Sequence, residues 1–173
     1  RFHPHYEKMS CKRFLKQYPN LLIVNAFTKF YAMAGLRLGY LMTGDLSLLH
    51  AVAQQLPEWN VSSIAQRAGI SALQDTEYEK RTRQLIEKER RYLIQEFLKM
   101  GCTVFPSEAD YITFRLPQEK TGFLLKERLL EGKILIRSCA NYRNMPPDCY
   151  RIAVKQHADN EELVRQVWRI LKQ

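Results

Sequence analysis

The sequence predicts an α/β fold in two parts, and three observations predict it. Short apolar runs that read as strands alternate with segments of helical periodicity. Their order is strand, strand, helices, then β-β-α-β-β-α. One helical pattern, Glu77–Met100, is much longer than the others and reads as a bridge between the parts. A boundary is therefore expected near residues 74–84, giving parts 1–76 and 77–173.

Asn20–Phe27 (NLLIVNAF) is a short apolar run after Tyr-Pro and predicts a buried strand. Leu38–Thr43 (LGYLMT) predicts a second, and Gly35 between them is available for unusual backbone angles. Asp45 is placed to cap a helix running to about Gln55, before Pro57. Asn60 or Ser62 is placed to cap another, through about Leu73. In the long pattern Leu85, Ile86, Leu93, Phe97 and Met100 recur at roughly helical spacing, and Gly101 supplies the stop.

The texture then shortens. Cys102–Phe105 and Asp110–Leu116 predict strands, and Thr121–Glu131 a helix ended by Gly132. Lys133–Arg137 and Tyr150–Lys155 predict two more strands. Asp159, with Glu162 three residues on, reads as a capping box that opens the last helix. Two strands and two helices make a poor domain by themselves, so Asn20–Phe27 is expected to want neighbours.

Net charge is +9, from 27 Lys and Arg against 18 Asp and Glu. That excess favours an anionic partner, whether a phosphorylated metabolite, a nucleic acid or a membrane surface. Much of it sits in Lys80–Arg91, where interleaved acids predict a solvated helix face with pairs Glu79–Arg83 and Glu87–Arg91. No apolar run of membrane-spanning length occurs, and RFHPHYEKMS lacks the apolar core of a signal peptide. The chain begins without Met and is expected to be truncated or processed at its front. Cys11, Cys102, Cys139 and Cys149 show neither CxxC nor zinc spacing. Reduced thiols, a cytoplasmic setting and no metal are expected, with His3 and His5 as loop histidines.

The stretch FTKFYAMAGLRLGY, Phe27–Tyr40, holds two cations, Lys29 and Arg37, and no acid. A lysine in an apolar setting loses hydration, which favours the neutral, nucleophilic amine. Arginine stays charged, and its planar fork suits a phosphate. An aldehyde-capturing lysine beside a phosphate-holding arginine is what pyridoxal 5′-phosphate requires. On spacing alone, two side chains reaching out of a surface loop is the favoured explanation of the pattern.

The wording Thr28-Lys29, then Arg37, Gly39 and Tyr40, resembles the lysine motif of the fold-type-I pyridoxal-phosphate enzymes, the aspartate aminotransferase superfamily. Trp59–Gly69 (WNVSSIAQRAG) resembles the helix start that follows the motif there. Within that superfamily the chain is most similar to the threonine-phosphate decarboxylases of cobalamin synthesis, with the histidinol-phosphate aminotransferases as near relatives. NAFTKFYAMAGLRLGY, IRSCANY (Ile136–Tyr142) and YRIAVK (Tyr150–Lys155) carry that likeness.

The resemblance implies that Lys29 holds the cofactor and moves the proton at the substrate α carbon. It implies that Arg37 and Thr28 hold the cofactor phosphate. Arg151 and Arg137 would hold the anionic groups of a phosphorylated amino-acid substrate. Each arginine has an ordinary alternative, a surface ion pair at a strand end. Residues 1–76 would be a remnant of the large cofactor-binding domain and 77–173 the small C-terminal domain of a homodimeric enzyme. The resemblance covers only about the second half of such an enzyme. An aspartate for the pyridinium nitrogen, a ring-stacking aromatic and a Gly-rich phosphate turn would precede residue 1, so the chain alone is expected to be inactive. Ala26 departs from the pattern, standing where many relatives carry a second hydroxyl. The implied reaction is decarboxylation of L-threonine O-3-phosphate, with transamination as the alternative. A basic nucleic-acid-binding module is the alternative of another class; it predicts strongly salt-dependent binding.

Overall fold

The segments LIVNA and GYLMT pair as a hairpin. Strand β1 (Leu22–Ala26) pairs antiparallel with β2 (Gly39–Thr43), Leu22 opposite Thr43 and Ala26 opposite Gly39. Gly39 lets the strands approach, since a Cβ there would meet the Asn25 carbonyl oxygen at 3.0 Å. The computed structural model of the chain describes residues 2–172 apart from Pro4, Thr121, Phe123 and Pro147. It divides into two units, His3–Lys80 and Arg81 onward.

In the first unit a short helix, α1 (Tyr6–Met9), precedes the hairpin, and neither α1 nor the 3-10 turn after it was legible in the sequence. Helix α2 (Leu46–Gln54) starts where predicted, with the Asp45 carboxylate accepting from the Ser47 and Leu48 N–H groups. Helix α3 (Ser63–Gln74) is capped by Ser62, whose hydroxyl accepts from the Ala65 N–H, and not by Asn60. Strand β1 is not the buried strand predicted. Leu22, Val24 and Ala26 are exposed, because β1 pairs only with β2 among the described residues.

Helix α4 (Thr76–Lys99) begins in the first unit and continues in the second. Its N-terminus is capped by the Asp75 carboxylate, which accepts from the Tyr78 N–H at 2.8 Å. Gly101 adopts the left-handed conformation (φ +79°) that ends the helix. The Lys80–Arg91 stretch is only partly the solvated face predicted. Glu87 and Arg91 do pair, but Glu89 and Arg90 are buried. The Arg90 guanidinium donates to the Ala109 carbonyl and pairs with Glu108, both at 3.1 Å.

The second unit carries a four-stranded antiparallel sheet in the order β3-β4-β6-β5, with β3 Thr103–Val104, β4 Tyr111–Arg115, β5 Arg137–Ser138 and β6 Cys149–Ala153. Alternation assigns its faces. Ile112, Phe114, Tyr150 and Ile152 join one core with Leu93 and Phe97 of α4, Leu125 and Leu129 of α5 (Leu125–Glu131), and Val167 of α6 (His157–Leu171). Phe97 and Phe114 lie at its centre, with ring centroids 4.3 Å apart. Burying each such side chain stabilises the fold by about 1.5–3 kcal/mol. The other face carries Tyr111, Thr113, Arg115, Arg151 and Arg137.

Three expectations are corrected here. Helix α5 starts at Leu125, after a left-handed Leu124; Thr121 and Phe123 of the predicted start lie outside the described residues. Residues Lys133–Ile136 are not strand, because Lys133 is left-handed (φ +62°) and the Ile134 N–H bonds back to the Leu129 carbonyl. Helix α6 opens at His157 with no side-chain cap, and Glu162 bonds forward to Arg165 and Gln166 instead of completing a capping box.

Candidate active site

The hairpin ends where the Phe27 N–H donates to the Leu38 carbonyl at 3.0 Å. One residue beyond that bond, on either side, stand Thr28 and Arg37. Phe27, Phe30 and Tyr31 turn inward and are buried, whereas Lys29 is exposed and Thr28 half-buried. Phe27 stacks on Tyr31 at 5.2 Å, and Tyr31 stacks on Tyr78 at 6.0 Å. The Tyr78 hydroxyl donates to the Phe30 carbonyl at 3.0 Å, and the Tyr31 hydroxyl to the Glu79 carboxylate. The loop bearing Lys29 is thus pinned through its aromatics to the first turn of α4.

The two cations of this loop are not buried, which corrects the desolvation argument. The Lys29 carbonyl accepts from the Ala32 N–H at 3.1 Å, but its side-chain amine makes no hydrogen bond or ion pair among the described residues. Arg37 is exposed, donates only to the Ala34 carbonyl (3.4 Å), and faces no carboxylate among them. The left-handed conformations fall on Ala32 (φ +54°) and Arg37 (φ +53°) and not on Gly35. A left-handed non-glycine residue costs about 1–2 kcal/mol. Strain of this kind collects at functional positions.

On the outer face of the second unit's sheet, Arg137 of β5 stands opposite Arg151 of β6, which stands opposite Thr113 of β4. The Arg137 guanidinium donates to Asn141 Oδ1 at 3.1 Å and lies 5.5 Å from the Tyr142 ring centroid. That of Arg151 lies 4.9 Å from the centroid of Tyr111. Neither arginine has a carboxylate within ion-pair distance among the described residues, so the surface-ion-pair alternative finds no support. Tyr111 was not singled out for this role in the sequence; its position opposite Ala153 depends on a register between strands far apart in the chain.

A second polar cluster escaped the sequence. The Glu89 carboxylate, 1% exposed, accepts from the Asn160 amide and contacts His157 Nδ1, both at 3.0 Å. Burial alone would push the Glu89 pKa up. The Asn160 and His157 hydrogen bonds outweigh burial and hold it below the ordinary value. Asn160 also accepts from the Lys155 N–H and donates to the Lys155 carbonyl, tying the end of β6 to the start of α6. No group of three or more potential metal ligands occurs among the described residues. Likewise, no helix among them is long and apolar enough to cross a membrane.

Residues 4–167 match the family described as aminotransferase class I and II. The chain is 36% identical over 158 residues to the threonine-phosphate decarboxylase of Salmonella typhimurium, covering 91% of this chain and 43% of that protein. It is 33% identical over 160 residues to the histidinol-phosphate aminotransferase of Oleidesulfovibrio alaskensis, covering 91% and 41%. Its fold superposes on the histidinol-phosphate aminotransferase of Clostridium acetobutylicum with a TM-score of 0.89, at 31% identity, covering 95% of this chain and 50% of that one. The chain therefore spans half or less of the length of these relatives. The family's cofactor is pyridoxal 5′-phosphate, and a structural neighbour from Sinorhizobium meliloti is described in complex with it. The lysine loop has the chemistry that cofactor needs: an amine with no partner, a hydroxyl, and a guanidinium without a carboxylate. The sequence match and the shared fold lead to one conclusion: the chain belongs to the class I and II aminotransferase family.

Proposed function

We propose that this chain carries the cofactor lysine and the substrate arginines of a threonine-phosphate decarboxylase acting in cobalamin synthesis. The observation that supports it most is Arg137 standing opposite Arg151 with no carboxylate to neutralise either. Two facing guanidinium groups suit a substrate with two anionic groups, such as an amino-acid phosphate ester. The 36% identity to the Salmonella typhimurium decarboxylase supports the same reading.

In this reading the Lys29 amine holds the cofactor, and Arg37 with the Thr28 hydroxyl holds the cofactor phosphate. When bound, the cofactor supplies an electron sink for the pair released at the substrate α carbon. Arg151 and Arg137 hold the substrate's anionic groups and so choose which bond at that carbon is presented for cleavage. Lys29 returns a proton to the α carbon after carbon dioxide leaves, giving (R)-1-amino-2-propanol O-phosphate. The complete enzyme acts as a homodimer in the cytoplasm, with residues 1–76 belonging to its large domain.

A second reading is transamination of histidinol phosphate, favoured by the TM-score of 0.89 to the Clostridium acetobutylicum aminotransferase. The complete polypeptide, loaded with pyridoxal 5′-phosphate, separates the two. Carbon dioxide from L-threonine phosphate without amino exchange supports the decarboxylase. Amino exchange between glutamate and the oxo partner of histidinol phosphate, without carbon dioxide, supports the aminotransferase.

A further inference from the structure

Cys139 and Cys149 face each other at the edge of the second unit's sheet. Arg137 pairs with Arg151 and Ser138 with Tyr150, so the next step of that register sets Cys139 opposite Cys149. The Cys139 N–H donates to the Cys149 carbonyl at 2.8 Å, which fixes that step. Directly opposed residues of antiparallel strands have Cα atoms about 4.5–5.5 Å apart. Disulfides most often span Cα atoms about 5.5–6 Å apart. Alternation puts both side chains on the sheet face of Arg137 and Arg151, away from the apolar core. Both are free thiols, and both are buried.

The thiols sense their surroundings. Burial pushes Cys139 up, and the Arg151 and Arg137 guanidinium groups offset this only in part, so it stays above the ordinary thiol value. Burial and then the neighbouring Cys139 sulfur push Cys149 up. In the closed sheet such thiols are shielded from oxidants. However, β5 is a two-residue strand at the sheet edge. Peeling so short an edge is a local opening of low cost, and it uncovers both sulfurs together.

We propose that Cys139 and Cys149 form a reversible dithiol–disulfide site, oxidised by exchange with a small disulfide such as oxidised glutathione. Cys139, just past the edge strand, attacks as the thiolate once that edge has opened. The glutathione sulfur–sulfur bond breaks, one glutathione leaves as its thiol, and a mixed disulfide forms on Cys139. Cys149 then attacks the Cys139 sulfur and expels the second glutathione. The two protein thiols lose two protons and two electrons, and oxidised glutathione gains both. The crosslink staples the 140–148 loop and fixes the strand bearing Arg137 against the strand bearing Arg151. This inference stands on the register alone and does not depend on the proposed reaction.

The test uses the chain with Cys11→Ser, which removes the exposed thiol that would join two molecules. It is held natively in buffers of rising oxidised-to-reduced glutathione ratio, quenched in acid, unfolded, alkylated and mapped by peptide mass. The expected result is that the Cys139 and Cys149 peptides leave the alkylated pool together. They reappear joined, two hydrogens lighter than their sum, while Cys102 stays alkylated. Dithiothreitol reverses the change, and the oxidised chain melts about 5 °C higher. A Cys149→Ser variant is expected to stop at a glutathione adduct on Cys139; the mapping of the Cys11→Ser chain does not depend on it. Full alkylation of Cys139 and Cys149 in the most oxidising native buffer overturns the proposal, as does an adduct on Cys139 that never proceeds to the crosslink.

Discussion

Arg137 and Arg151 stand directly opposite each other on neighbouring antiparallel strands. Like charges in that position destabilise a sheet by a few tenths to about 1 kcal/mol. The rings of Tyr142 and Tyr111 beneath the two guanidinium groups offset part of this. Arg137→Gln should therefore leave the melting temperature unchanged or raise it slightly. The same change should weaken binding of the phosphorylated substrate about 10–100-fold, since a charge-assisted hydrogen bond is worth about 1.5–3 kcal/mol. Calorimetry with thermal melts checks both halves. A clear loss of stability with unchanged affinity would make Arg137 a structural residue.

Arg37 holds a left-handed backbone that glycine adopts without cost. Arg37→Gly should thus fold at least as stably as the parent, within about 0.5 kcal/mol or better. Cofactor affinity should nevertheless fall at least about tenfold, because the guanidinium is gone. Titration of cofactor absorbance beside a urea melt reads the two effects separately. Unchanged affinity would remove Arg37 from the phosphate site.

The buried Glu89 carboxylate predicts acid sensitivity. Its folded pKa lies below its unfolded one, so its contribution to stability is fully present above the unfolded value, near 4.5, and fades as pH falls through the folded value. His157 and Asn160 face it from α6, and Lys88 adds a favourable charge from α4. Asn160→Ala should cost about 1–3 kcal/mol at neutral pH by leaving polar groups of Glu89 and Lys155 unpaired. The gap between variant and parent should narrow as pH falls below the unfolded value near 4.5 and Glu89 protonates. Urea midpoints across that range test this; a gap constant with pH would separate the Asn160 effect from the Glu89 charge.

Gly44 packs against the N-terminal segment. A Cβ there would lie 2.0 Å from the Leu15 carbonyl oxygen, a backbone atom that cannot swing aside. Gly44→Ala should destabilise the first unit by about 2 kcal/mol or more, as overpacking against a fixed neighbour does. Gly35→Ala, with nothing within 4 Å, is the matched control and should be close to neutral.

Local signals were legible in the sequence, and long-range ones were not. Asp45 and Ser62 cap their helices through bonds to residues two or three positions on, so the local sequence named Asp45 outright and Ser62 as one of two candidates with Asn60. Lys133–Arg137 reads as a strand by its residues, yet Lys133 and Ile134 finish α5 and leave only Arg137 and Ser138 in the sheet. The Asp159–Glu162 spacing fits a capping box, but a tertiary contact with Glu89 through Asn160 governs that terminus. Lys29 and Arg37 were singled out by their wording, and an exposed surface loop was one of the two readings left open there; nothing local told exposure from burial in so apolar a stretch. The Arg137–Arg151 and Cys139–Cys149 pairings follow from a strand register that no single segment encodes.

The most direct test of the account is the identity of the lysine that carries the cofactor. The complete polypeptide is loaded with pyridoxal 5′-phosphate, reduced with borohydride, digested and mapped by mass. The pyridoxyl label is expected on Lys29, and is expected to be lost in Lys29→Ala with no change in the melting temperature, since the Lys29 side chain is exposed and without a partner. A label on another lysine, with Lys29 unmodified, would contradict this assignment.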